Sequence, residues 1–377
     1  MIKEAIAQVV AGSDLTEAEM IVVMDEIMGG AASAAQIAAF ITALRIKGET
    51  VDEITGAAKV MREKATPVTP FSAAALANGQ DLSVSSVLPT SLIPSDLSTP
   101  PAPPILVDTC GTGGDSSGTF NVSTTTAFVV AAAGLPVAKH GNRSITSSCG
   151  SADVLEALGL DLQLPPQAIA QAIRQVGVGF MFAPLLHGAM KHTIGPRREI
   201  GIRTIFNILG PLTNPAGANV QVMGVYSPGL VETLARVLGK LGTRRALVVC
   251  GAGNVDEITV TGPTKVAEYN DGEVRILTIS PEDYGIPLAS LVDIRGGDSP
   301  AEAAAQLRAI LAGEEGARLN MVLLNAAAVF LAAERCSSMA DGIALARTLV
   351  QSGAALARLD ALLAFSRGFA TAKMVKR

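Results

Sequence analysis

The stretch ILVDTCGTGGDSSGTFNVSTTTAF, residues 105–128, sets a glycine-rich loop between two apolar runs. ILVDTC reads as a buried strand and TTTAFVVAAAGL, residues 124–135, as the helix that follows. A strand–loop–helix unit of this kind suits an anion: glycines let backbone N–H groups approach it closely, and a helix N-terminus favours negative charge. The two common phosphate motifs nevertheless fail. A dinucleotide fingerprint begun at Gly111 would need glycine where Ser116 stands, and a P-loop through Gly113 and Gly118 would need lysine where Thr119 stands. Asp115 inside the loop narrows the ligand further. A carboxylate beside a phosphate is unfavourable unless a cation lies between them or the carboxylate faces sugar hydroxyls. The loop therefore points to a phosphorylated sugar held with a divalent metal, with Ser123 and Thr124 supplying oxygens at the helix start. The alternative is a tight turn that binds nothing.

Working outward, the alternation continues. PVAKHG reads as a second strand, NRSITSSCG as a loop, SADVLEALG as a helix and RRALVVC as a strand followed by the loop GAGN. VAEYNDGEVRIL reads as a hairpin with Asp271 and Gly272 in its turn. Helices close the chain near 301–311, 319–334, 340–352 and 355–365. Such alternation predicts an α/β architecture, a mainly parallel sheet with helices on both faces. Ligands of open parallel sheets bind beyond the carboxyl ends of the strands, so the two loops are expected to face one crevice. Lys139 and Arg143 of the second loop, KHGNRS, bring positive charge that suits pyrophosphate, unless they are simply solvated in a turn. Asp256 and Glu257 follow a strand end and are plausible Mg²⁺ ligands, the alternative being an exposed acidic pair. His187 and His192 are five apart, which does not match a helical zinc pair. The run GPRREIGIRT gathers Arg197, Arg198 and Arg203, either as surface charge or with one arginine as a bidentate carboxylate clamp.

Upstream, residues 1–66 read as a small helical unit. Thr16 with Glu19, Ser33 with Gln36 and Thr50 with Glu53 have capping-box spacing, and Gly29 and Gly48 follow helical stretches. Residues 67–104 hold eight of the 20 prolines and little charge, and read as an irregular connection. The 377-residue chain is 49% hydrophobic with a mean hydropathy of +0.40, but its apolar stretches, such as MVLLNAAAVFLAA with Asn325 inside it, are too short to span a bilayer. A net charge of −5 without a basic block argues against nucleic acid or an anionic membrane as the main partner. The four cysteines show no CxxC spacing, which fits a reducing cytoplasm.

Taken together, QIAAFITALRIKGET, DTCGTGGD, TFNVST, AKHGNRS, GSADVLEALG, RTIFNILGPLTNP and VDEI make the chain resemble the anthranilate phosphoribosyltransferases of tryptophan biosynthesis. The resemblance runs along nearly the whole chain. It implies a nucleoside phosphorylase/phosphoribosyltransferase-like fold: a helical domain over 1–66, joined by a later segment near 190–210, and a large α/β domain over 105–377 that binds phosphoribosyl pyrophosphate. It implies that Gly111, Gly114, Asp115, Thr119, Asn121, Val122, Ser123 and Thr124 contact this donor. So would Lys139, His140, Gly141, Asn142, Arg143, Ser144, Ile145, Thr146, Ser147 and Ser151. Ser123, Asp256 and Glu257 would hold Mg²⁺. Gly111, Asn142 and Arg197 would meet anthranilate, with His187 close by, and Lys139 and Arg197 would act in catalysis by positioning and charge stabilisation, with no protein nucleophile. The resemblance also implies a homodimer. This chain departs from the family's pattern in its long 67–104 connection and in Ser148, where lysine is common. A pyrimidine nucleoside phosphorylase and a non-catalytic nucleic-acid-binding relative of the same fold are the alternative readings. The former would need no Mg²⁺ pair and the latter a basic face.

Overall fold

The computed structural model describes residues 1–71, 104–144 and 149–375, with residues 370–375 as backbone only. Four helices open the chain: α1 (Ile2–Val10), α2 (Glu17–Met28), α3 (Ala34–Lys47) and α4 (Val51–Lys64). All three capping boxes form, at Thr16 with Glu19, Ser33 with Gln36 and Thr50 with Glu53. Each satisfies N–H groups that a helix start leaves free, typically worth about 1 kcal/mol. Glu53 does more than cap. Its buried carboxylate also accepts the Leu15 amide at 2.9 Å and pairs with Lys47 at 3.1 Å, tying the start of α4 to the end of α3 and to the α1–α2 turn.

The rest of the described chain alternates strand and helix. Its elements are β1 (Val107–Gly111), α5 (Val122–Ala132), β2 (Val137–Gly141), α6 (Ser151–Ala157), α7 (Pro166–Val176), β3 (Val178–Phe182), the short α8 (Ala183–Leu186), α9 (Lys191–Ile200), α10 (Phe206–Leu212), β4 (Val220–Gly224), α11 (Leu230–Lys240) and β5 (Arg245–Gly251). The hairpin β6 (Thr264–Asn270) and β7 (Glu273–Ile279) follows, then α12 (Pro300–Leu311), α13 (Ala317–Ala332), α14 (Met339–Gln351) and α15 (Ala354–Val375). One sheet has the order β3-β2-β1-β4-β5-β6-β7, parallel from β3 to β5 and antiparallel at β6 and β7. Asp271 (φ 48°) and Gly272 (φ 88°) both take the left-handed conformation that a two-residue hairpin turn requires.

Two cores lie on opposite faces of the sheet. On one, Phe128 of α5 and Phe330 of α13 pack with Val107, Val137 and Val249. On the other, Phe40, Ile41 and Met24 of the helical unit share a core with Met223, Val248 and Leu234, so this unit is seated directly on the sheet layer. Helix α9 packs against α3 and α2. The half-buried Arg62 of α4 donates to the carbonyls of Leu212 and Leu241, at 2.7 and 2.9 Å, and so binds the carboxyl ends of α10 and α11. No single described helix is long and apolar enough to cross a membrane, and the apolar α13 is buried in the core.

Candidate active site

The carboxyl ends of four adjacent strands carry Gly141, Gly111, Gly224 and Gly251, with Gly111 and Gly224 in register. After β5 the chain turns back across these ends. A Cβ on Gly224 would lie 1.5 Å from the Asp256 carbonyl oxygen, one on Gly111 2.4 Å from Asp256 Oδ2, and one on Gly251 2.7 Å from the Glu257 carbonyl oxygen. Glycine stands at these strand ends because the acidic segment lies against them. Asn325 of α13 fixes the segment from below: its side chain accepts the Ile258 amide at 3.1 Å and donates to the Ile258 carbonyl at 2.8 Å. That double bond gives a polar partner to the asparagine buried inside an apolar helix.

The first loop meets this acidic segment head on. The Gly113 amide donates to Asp256 Oδ2 at 2.7 Å, and the Asp256 amide donates to Asp115 Oδ2 at 3.3 Å. The Ser123 amide, in the first turn of α5, donates to Glu257 Oε1 at 3.1 Å. Asp115 also accepts from the Ser117 hydroxyl. Thr119 bridges to Arg295, Asn121 donates to the Cys149 carbonyl at 3.1 Å, and Val122 and Thr124 are buried at the helix start. Burial, and then the Asp115 charge, push the Asp256 carboxyl up to about 7. Burial and the neighbouring Asp256 raise Glu257 well above the usual range. These acids are short of positive charge, which is the signature expected of a seat for a cation. Among the described residues there is no group of three or more histidine, cysteine or acidic ligands that would enclose a metal by itself. Two carboxylates and a serine fit Mg²⁺, which commonly takes one or two carboxylates and completes its shell with substrate phosphates and water.

In the second loop, Arg143 is paired with acids of the following helix. Its guanidinium is held by Asp153 at 2.9 Å and by Glu156 at 2.7 Å and stacks over Phe182, so its charge is answered within the protein. The carboxylates that hold it sit on helix α6, ten and thirteen residues on. Lys139 is buried and donates to the His140 carbonyl at 3.2 Å; its charge counters the rise at Glu257. The Asn142 carbonyl accepts from the Ala152 amide at 3.1 Å and the Ser151 hydroxyl at 3.3 Å, while the Ser144 amide donates to Asp153 at 3.0 Å. A Cβ on Gly141 would strike the Ser151 hydroxyl and the Phe180 ring. Ile145, Thr146, Ser147 and Ser148 lie outside the described residues.

Asp108 and Asn214 were not foreseen here. Asp108 is fully buried, accepting from Asn214 Nδ2 at 2.8 Å and the His140 amide at 3.3 Å, and Asn214 also donates to the Ala138 carbonyl at 2.9 Å. The pair anchors β2 just before its loop. Its only sequence signal was a polar residue inside a strand otherwise read as buried.

On α9, Arg197 lies over the Phe206 ring at 5.3 Å, and burial lowers its pKa. Among the described residues no carboxylate pairs with it. Arg203 instead donates to the Gly114 carbonyl and covers the Tyr226 ring at 4.5 Å. His140 and His187 face each other with ring centroids 5.0 Å apart, each with a buried Nε2 that has no partner among the described residues. Burial, and for His140 then the neighbouring His187, lowers their pKa values to about 3 and about 4, so both rings are neutral at pH 7.

A helical bundle on a mainly parallel sheet, with acids and glycine loops converging at its strand ends, defines a class. The helical bundle domain of the glycosyl transferase family matches residues 3–65, and that family's a/b domain matches residues 103–356. Within that class, the chain belongs to the anthranilate phosphoribosyltransferase family. It is 56% identical over 364 residues to the anthranilate phosphoribosyltransferase of Desulfotalea psychrophila, covering 97% of each chain. To that of Moorella thermoacetica it is 51% identical, covering 98% of this chain and 100% of the other. The crystal structure of the Thermus thermophilus enzyme matches with a TM-score of 0.83 at 40% identity, over 96% of this chain and 99% of that one. The Saccharomyces cerevisiae enzyme in complex with PRPP and Mg shares the fold at a TM-score of 0.81 and 24% identity, over 97% of this chain and 98% of that one.

Proposed function

We infer that this enzyme transfers the phosphoribosyl group of 5-phosphoribosyl 1-pyrophosphate to the amine of anthranilate. The products are N-(5-phosphoribosyl)anthranilate and pyrophosphate, a step of L-tryptophan biosynthesis. The observation that carries the reading is the convergence of Asp256, Glu257 and the Gly113–Ser123 loop at the strand ends.

In this reading the aryl nitrogen forms a bond to ribose C1 as the C1–oxygen bond to pyrophosphate breaks, and the nitrogen gives up a proton. An aryl amine is uncharged near pH 7, so neither a strong base nor a protein nucleophile is needed. Positioning and charge neutralisation supply the catalysis. Gly111, Gly114, Asp115, Thr119, Asn121, Val122, Ser123, Thr124 and the stretch Lys139–Ser147 together with Ser151 hold the donor, with Lys139 placing a buried charge near its pyrophosphate. Asp256, Glu257 and Ser123 hold Mg²⁺, which when bound supplies further positive charge to the departing pyrophosphate. Arg197 pairs with the anthranilate carboxylate, and the neutral His140 and His187 rings with Asn142 line the space around it.

The reading extends to a homodimer in a reducing cytoplasm. In its support, Met1, Val10, Val22 and Ile46 stand exposed on the helical unit, and the four cysteines are free thiols. One comparison tests the activity: anthranilate consumption with the phosphoribosyl donor, with and without Mg²⁺, beside thymidine phosphorolysis and DNA binding. Mg²⁺-dependent consumption alone is expected. Phosphorolysis or DNA binding in its place would overturn the assignment.

A further inference from the structure

Two of the donors best placed to receive a phosphate are already bonded, and they are bonded to the site's own acids. The Gly113 amide gives its hydrogen to Asp256 Oδ2 at 2.7 Å, and the Ser123 amide gives its own to Glu257 Oε1 at 3.1 Å. These are the N–H groups that a glycine loop and a helix start offer to an anion. The carboxylates are seated there by construction. Gly111 and Gly224 leave room for Asp256, and Asn325 pins the residue after Glu257. A backbone amide has one hydrogen, so a carboxylate oxygen and a phosphate oxygen compete for it.

We propose that Asp256 and Glu257 are specificity-determining residues: they compete with phosphate oxygens for the Gly113 and Ser123 amides, so the site accepts a diphosphate only together with the divalent cation that draws the carboxylates away. The proposal rests on the reading of this site as one for a Mg²⁺-bound phosphoribosyl donor. Bare phosphate, sulfate or metal-free pyrophosphate must break two hydrogen bonds and then lie against the displaced acids. A metal-bound diphosphate allows an exchange instead, carboxylate to cation and phosphate oxygen to amide. Linkage makes the effect reciprocal: Mg²⁺ and pyrophosphate strengthen each other's binding by one factor, expected to be about tenfold or more.

The test is calorimetric titration of inorganic pyrophosphate into wild type, Asp256→Asn and Asp256→Ala, with and without Mg²⁺. Both variants remove the titratable carboxyl, but only alanine removes the acceptor from the Gly113 amide. The proposal expects metal-free pyrophosphate to bind Asp256→Ala about tenfold more tightly than Asp256→Asn, within the usual range of such couplings. Equal affinities would show that charge alone matters and overturn it. A second measurement needs no variant: hydrogen exchange of the Gly113 and Ser123 amides in the wild-type protein. Protection that falls on adding Mg²⁺ alone supports the exchange, and unchanged protection overturns it. Failure of the transferase reading is separate, since it would appear as absent anthranilate consumption whatever the affinity ratio of the two variants.

Discussion

The two halves of the site are built on opposite plans. Where β1 meets α5, the polar groups answer one another: the Gly113 and Ser123 amides are bonded to acids, and Asp115 accepts from Ser117 and from the Asp256 amide. Elsewhere, among the described residues, Arg197 has no carboxylate partner and the Nε2 atoms of His140 and His187 are buried without partners. In the proposed reading the contrast follows the ligands. A highly charged diphosphate arrives with a cation and can exchange internal bonds for new ones. A small aromatic acid carries one charge and an apolar ring, and it is best met by one desolvated arginine among neutral groups.

The strongest way to break the donor half is to remove its acids. With Asp256 and Glu257 both replaced by alanine, kcat/KM should fall by about 10³, the scale of losing preorganised charge stabilisation. The remaining rate should no longer respond to Mg²⁺; a rate that still rises with Mg²⁺ would place the metal elsewhere. Gly111→Ala is a gentler probe. Its Cβ would come 2.4 Å from Asp256 Oδ2, so the carboxylate must shift. We expect about a tenfold loss of kcat/KM at nearly unchanged thermal stability, because small misplacements at a reacting centre are costly. Wild-type kcat/KM in this variant would show that the carboxylate's seat does not matter.

The smallest effect lies in the acceptor half. His140 and His187 have folded pKa values of about 3 and about 4, below an unfolded value of about 6.5. As pH falls the unfolded chain takes up these protons first. Stability is therefore fully present above about pH 6.5 and declines toward about pH 4, by at most about 1.4 kcal/mol per pH unit for each histidine. Chemical denaturation across that range should show the slope, and His187→Asn should reduce it. An equal slope in the variant would mean that His187 is not held neutral by burial.

Much of this arrangement was legible in the sequence because it is local. The capping boxes, the strand–loop–helix at 105–135 and the Asp271 and Gly272 turn are spacings over a few residues, and each forms as read. The strands Val178–Phe182 and Val220–Gly224 were not read out, since five-residue apolar runs carry no periodicity that separates strand from buried helix. What joins distant segments was illegible. The Gly113 amide and Asp256 are 143 positions apart, and Asn214 and Asp108 are 106 apart. The partners of Arg143 were illegible too: they sit on a helix that its own loop introduces, and no spacing rule announces them. The glycines at 224 and 251 gained their meaning only once Asp256 and Glu257 were seen lying against them.

The most direct test of the two-plan site is a bisubstrate kinetic measurement on Arg197→Ala, varying anthranilate and the phosphoribosyl donor independently at saturating Mg²⁺. If Arg197 serves only the acceptor half, the KM for anthranilate should rise about 100-fold, the scale of losing a desolvated charge-assisted pair, with the donor KM within about threefold of wild type. Equal increases in both KM values would contradict the division and make Arg197 part of one shared anion site.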